Sequence, residues 1–157
     1  MAFGSNSKIF RAGLADSLGN VAAIDLDADT LRAALYGNGG TPDQDATAAN
    51  SAYGVGAWVT GNEVSHVGQW AVAGIALSSV VLDRATAATV FLDAADTASG
   101  AAATLANVYG CLVYDDTLTT PVADQGICYN SFGGAQSVTT GTFTVIWHSN
   151  GLMRYSL

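Results

Sequence analysis

The chain predicts an all-β fold, an antiparallel β-sandwich or barrel with a short N-terminal helix or arm. Three observations lead there. Short runs rich in Val, Ile, Thr and aromatic residues recur along the sequence, turn residues punctuate them roughly every ten positions, and Thr142 to Trp147 alternates so that Phe143, Val145 and Trp147 share one face. At 157 residues the chain is long enough for one domain with a sizeable core, and no solenoid-type repeat is visible.

Residues 1–22 read as the N-terminal helix or arm, and 23–157 as a single β domain with a long loop at 37–61. Ser5 and Asn6 are capping candidates, Ile9, Phe10, Leu14 and Leu18 fall at roughly helical spacing, and Gly19 can end the helix. Ile24 to Leu26 and Leu31 to Tyr36 are strand-like and flank a turn at Asp27 to Thr30. The loop at 37–61 combines glycine pairs, Pro42, Asp43 and Asp45, with one short strand expected around Ala57 to Thr60.

Further strands are expected over Gln69 to Leu77, Val80 to Asp83, Thr89 to Leu92 and Ala101 to Ala106, with turn chemistry at Asp93 to Gly100. Tyr109 to Tyr114, Gly126 to Phe132, Thr142 to Trp147 and Leu152 to Tyr155 complete the set. Asp115-Asp116, Gly133-Gly134 and Asn150-Gly151 mark the turns between them, the last being a strong two-residue hairpin signal.

Only 11% of residues are charged, about half the fraction of an ordinary soluble domain. Surfaces so poor in Lys and Glu suit burial against partners, because interface cores are depleted in charge. A formal charge of -8 with five basic residues argues against a nucleic-acid surface, which needs clustered Lys and Arg. Lys8, Arg11 and Arg32 lie in the first 32 residues and are the handles for any acidic partner. No apolar run has the length of a membrane span or the pattern of a signal peptide, so no membrane partner is expected. Cys111 and Cys128 are too few for a disulfide framework and read as buried free thiols on adjacent strands, unless their Cα atoms come within disulfide range, in which case they pair.

Candidate chemistry is sparse. Asp25, Asp27 and Asp29 open a D-x-D-x-D pattern like a calcium loop, but Thr30 stands where that loop needs Gly and Tyr36 where it needs a bidentate Glu. His66, Cys111, Cys128 and His148 could make a zinc set by count, yet no pair has knuckle or finger spacing. Neither histidine accompanies a nucleophile elbow, so no hydrolytic triad is expected. Glu63 is the only glutamate, and nothing marks out a carboxylate partner for glycoside chemistry. Gly37-Asn38-Gly39-Gly40 lacks the following Lys and helix of a phosphate loop. Trp58, Trp70 and Trp147 could line a sugar-binding face if their rings were exposed. No cofactor, metal or catalytic residue is assigned, and the chain does not read as an enzyme.

The order Asn62-Glu63-Val64, Gly68 to Leu77, Phe91 to Asp96 and Gly110 to Asp116, closing with Phe132 to Val138, Gly141 to Trp147 and Gly151-Leu152, resembles a family of small tailed-bacteriophage head decoration (capsid cement) proteins. The match covers most of residues 20–152, and its specificity lies in the order of short strand and turn motifs. Val67-Gly68-Gln69-Trp70 and a single Gly74 stand where the family has Gly-Tyr and Gly-Gly, no Trp follows the Asp93 to Asp96 turn, and the 37–61 loop is larger. The resemblance implies a structural virion protein, made in the host bacterial cytoplasm, that binds the major capsid protein on the outer surface of the head as a homotrimer. Phe3, Ile9, Phe10 and Arg11 are the expected capsid contacts. Two other readings stand beside it: a phage tail or baseplate component, and a carbohydrate-binding adhesion module.

Overall fold

The computed structural model describes residues 7–84 and 89–156. Its architecture is antiparallel β with two short helices. β1 (Lys8–Ile9), α1 (Arg11–Leu18), β2 (Leu31–Tyr36) and α2 (Ala48–Ser51) come first, followed by two single-turn 3-10 segments at Gly56–Trp58 and Thr60–Asn62. Then come β3 (Ile75–Ala76), β4 (Val81–Asp83), β5 (Thr89–Asp93), β6 (Thr97–Ala98), β7 (Ala103–Asp115), β8 (Gly126–Gly141), β9 (Thr144–Val145) and β10 (Met153–Ser156).

A five-stranded sheet runs in the order β1-β8-β7-β2-β3, a three-stranded sheet in the order β10-β5-β4, and β6 pairs with β9. The main core lies between the first two sheets, joining Ala33, Leu35, Cys111 and Val113 of one to Leu92 and Met153 of the other. The opposite face of the large sheet, with Ala34, Tyr36, Leu112, Tyr114 and Tyr129, is covered by Phe10 and Trp58. Burial on both faces explains why Gly110 to Asp115 is buried throughout and why β2 and β7 read as near-continuous apolar runs.

The 37–61 segment is therefore a cover for a second core, built around 3-10 turns in place of the expected strand at Ala57 to Thr60. Trp58 packs edge-on to Phe10 and Tyr36, with ring centroids 5.9 and 5.1 Å apart. The amino-terminal segment carries the helix and is tied to the sheet. β1 pairs with β8, and Phe10 is a fully buried residue of this second core, so from Ser7 onward it belongs to the β domain. Helix α1 starts at Arg11 behind Phe10, which gives no side-chain cap; the capping candidates Ser5 and Asn6 lie outside the described residues.

Other expected elements shift for local reasons. Ile24 to Leu26 leads into a turn closed by the Asp29 N–H donating to the Asp25 carbonyl at 2.8 Å. Gln69 to Leu77 contributes only β3, because Ala73 and Gly74 take φ of 71° and 77° and turn the chain before it can pair. Gly133-Gly134 makes no turn: β8 runs through it, and the register jumps from Gly110↔Ser131 to Val108↔Gln136 as Gly133 adopts φ 73°. Asn150-Gly151 does turn, with Gly151 donating to the His148 carbonyl at 2.7 Å, but β9 and β10 pair with β6 and β5 instead of each other.

Candidate functional site

An apolar groove of about 360 Å³ opens beside α1. Helix α1 forms one wall with Leu14 and Leu18, Ile9 of β1 contributes from the large sheet, and Ile24, Leu82 and Tyr155 close the other sides. The helix reaches this position because of Gly13. A Cβ there would come within 2.9 Å of the Gly126 carbonyl oxygen, so only glycine lets α1 lie so close to β8. At the rim Leu18 is 80% exposed, and nearby in the chain Val21 is 63% exposed. Large apolar side chains left in water beside a groove of that kind form a surface suited to an apolar partner.

Of the expected contact residues, Ile9 lines this groove, half-buried. Arg11 is exposed and its Nη1 lies 2.8 Å from Asp45 Oδ1, a solvent-screened pair worth little to stability. Phe10 is 0% exposed and presents no surface to a partner, which corrects its placement among the contacts. Helical spacing grouped it with Ile9, whereas the strand at β1 and the helix that follows send the two side chains to different cores. Phe3 lies outside the described residues. Leu82 and Tyr155 carry no sequence signal for this role; Leu18 carries one, as the last apolar position of the helical pattern.

Arg32 is no handle for an outside partner. Its Nε and Nη2 donate to the Ala73 and Gly74 carbonyls at 3.0 and 2.9 Å, and Nη1 lies 3.5 Å from Asp116. Glu63 is equally engaged, its Oε2 accepting from Tyr53 at 2.7 Å and its Oε1 from the Ala73 N–H at 2.9 Å. Burial holds the Glu63 carboxyl above the ordinary glutamate range. The only glutamate is thus a tether between the 37–61 segment and the β3 turn.

The four residues of the zinc set are not brought together. Cys111 and Cys128 are buried free thiols on adjacent strands, while His66 and His148 accept from the Thr104 and Asn150 N–H groups through Nδ1 at 3.1 and 3.0 Å. Tyr36, at the twelfth position of the calcium-loop pattern, is buried with its hydroxyl on the Trp58 carbonyl. Trp58, Trp70 and Trp147 are 1, 0 and 8% exposed, so none offers a ring face to a sugar. Among the described residues no helix is long and apolar enough to cross a membrane.

Comparison with protein-family models, curated proteins and solved structures returns no match.

Proposed function

We propose that this chain is a structural protein of a phage particle that decorates the outer surface of the head and cements neighbouring copies of the major capsid protein. The observation that carries the reading is the α1 groove, an apolar, partly open depression flanked by exposed Leu18 on a chain with only 11% charged residues. It fits an apolar side chain from a partner lattice and needs no catalytic group. The resemblance to head decoration proteins supports the choice of lattice and implies the homotrimer.

The mechanism is linkage. A protein that binds the expanded shell and not its precursor stabilises the expanded state by mass action, and contacts repeated across the shell reinforce one another through multivalency. Sedimentation of the purified chain with expanded and unexpanded empty shells tests this. Saturable binding to expanded shells is expected, weakened about tenfold or more by Leu18→Asp, and it persists at high salt because apolar contacts are barely screened. Equal binding to both shells, or to neither, contradicts the proposal.

A further inference from the structure

The dipeptide Asn-Gly occurs twice, as Asn38-Gly39 and Asn150-Gly151, and in both cases the asparagine is exposed and lies in a turn. An asparagine followed by glycine is open to attack by its own main chain, because no Cβ shields the nitrogen of the next residue and a five-membered ring carries that nitrogen onto the side-chain carbonyl carbon. The attacking nitrogen must give up its proton. A hydrogen bond from that N–H to a carbonyl holds the proton in place and has to be broken first.

Position within the turn separates the two pairs. In a four-residue turn the N–H of the last residue closes onto the carbonyl of the first, whereas the N–H of the third does not. Asn150-Gly151 fills the last two places, and the Gly151 N–H donates to the His148 carbonyl at 2.7 Å. The same turn is fixed by the Asn150 N–H donating to His148 Nδ1 at 3.0 Å and by the Leu152 N–H donating to the Leu92 carbonyl at 2.7 Å. Asn38-Gly39 instead fills the two central places between Gly37 and Gly40. The Gly37 N–H is held by the Asn62 carbonyl at 2.9 Å, but among the described residues nothing accepts from the Gly39 N–H.

We propose that Asn38 is a site of spontaneous deamidation in the folded protein, and that Asn150 is protected by its turn. The Gly39 nitrogen forms a bond to Asn38 Cγ as the Cγ–Nδ2 bond breaks; the Gly39 proton passes through solvent to the leaving nitrogen, which departs as ammonia. Water then opens the succinimide at either carbonyl, so residue 38 becomes aspartate or isoaspartate. Both products add a negative charge to a chain whose formal charge is already -8. Isoaspartate also lengthens the main chain by a methylene where β2 passes into the 37–61 segment. Gly39 lies there against the side chain of Asn62, which a Cβ at 39 would meet, and Asn62 Nδ2 donates to the Ala57 carbonyl at 3.2 Å. The modification therefore loosens the cover over the second core.

Peptide mapping of the full chain by mass spectrometry, after incubation in mildly alkaline buffer with and without urea, tests the site. In buffer alone, conversion at Asn38 is expected to outpace that at Asn150 by about tenfold or more, the effect on a rate of one retained hydrogen bond. In urea, which removes both turns, the two rates converge. Asn38→Gln, whose side chain must close a larger ring, abolishes the acidic species that isoelectric focusing shows accumulating in buffer. Equal rates in buffer, faster conversion at Asn150, or the same preference in urea overturns the proposal. So does a folded chain that keeps Asn38 intact over the time in which the unfolded chain converts it.

Discussion

The hydroxyl of Tyr53 donates to Glu63 Oε2 at 2.7 Å while the Tyr53 ring stacks on Tyr114, with centroids 4.9 Å apart. Tyr114 in turn donates to the Ala73 carbonyl at 2.8 Å, and the Ala73 N–H donates back to Glu63 at 2.9 Å. One side chain thereby links the cover over the second core, the large sheet and the turn before β3. Glu63→Ala leaves the Tyr53 hydroxyl and the Ala73 N–H without this partner and is expected to cost about 1–3 kcal/mol in urea unfolding. Glu63→Gln keeps an acceptor for Ala73 and a donor for the phenol oxygen, and burial already disfavours the charged form. Its cost is expected to stay below about 1 kcal/mol.

The thiols offer a direct probe of the main core. Burial pushes the Cys128 thiol up to about 12 and raises Cys111 as well, so almost no thiolate exists at neutral pH. Neither cysteine is expected to react with a disulfide reagent in the native protein, and both react at once in denaturant. Stoichiometric labelling of the folded chain at neutral pH contradicts the buried placement.

The strand Leu31 to Tyr36 was fully legible because β2 is regular and, apart from Arg32, apolar on both faces. The alternation around Phe143, Val145 and Trp147 likewise gave their common buried face correctly. Glycine and turn signals proved ambiguous for a physical reason: positive φ serves a bulge as well as a turn, so Gly133-Gly134 looks the same whether a strand ends or kinks. Asn150-Gly151 announced a reversal but could not announce that its flanking strands pair elsewhere, since register is decided by distant partners. The groove was legible only through Ile9 and the helical pattern ending at Leu18. Which face of α1 stays open depends on β4 and β10, which lie far along the chain.

Stability carries a pH signature from Asp115. Burial, reinforced by the neighbouring Asp29, raises its carboxyl to about 6, against 3.8 for an unperturbed group. A raised folded-state value means that the protonated form is favoured by folding. The contribution is therefore fully present below about pH 4 and is lost as pH rises through about 6. Asp115→Asn is expected to flatten this part of the stability profile, read by chemical denaturation from pH 4 to 7. An unchanged profile in the variant contradicts the assignment.

Gly13→Ala tests the seat of α1. The added methyl meets the Gly126 carbonyl oxygen, so the helix must lift or the strand must move. A loss of about 1–3 kcal/mol is expected, together with reduced protection of the α1 amides in hydrogen exchange. Unchanged stability and protection contradict the close packing.

The proposed place on the outer head implies a large number of copies. Quantitative protein staining of purified virus particles carrying the chain, as proposed, tests it most directly, by the copy number of this chain relative to the major capsid protein. Copies comparable in number with the shell subunits are expected. A few to a few dozen copies per particle, as a tail or baseplate component would give, or none, contradicts it.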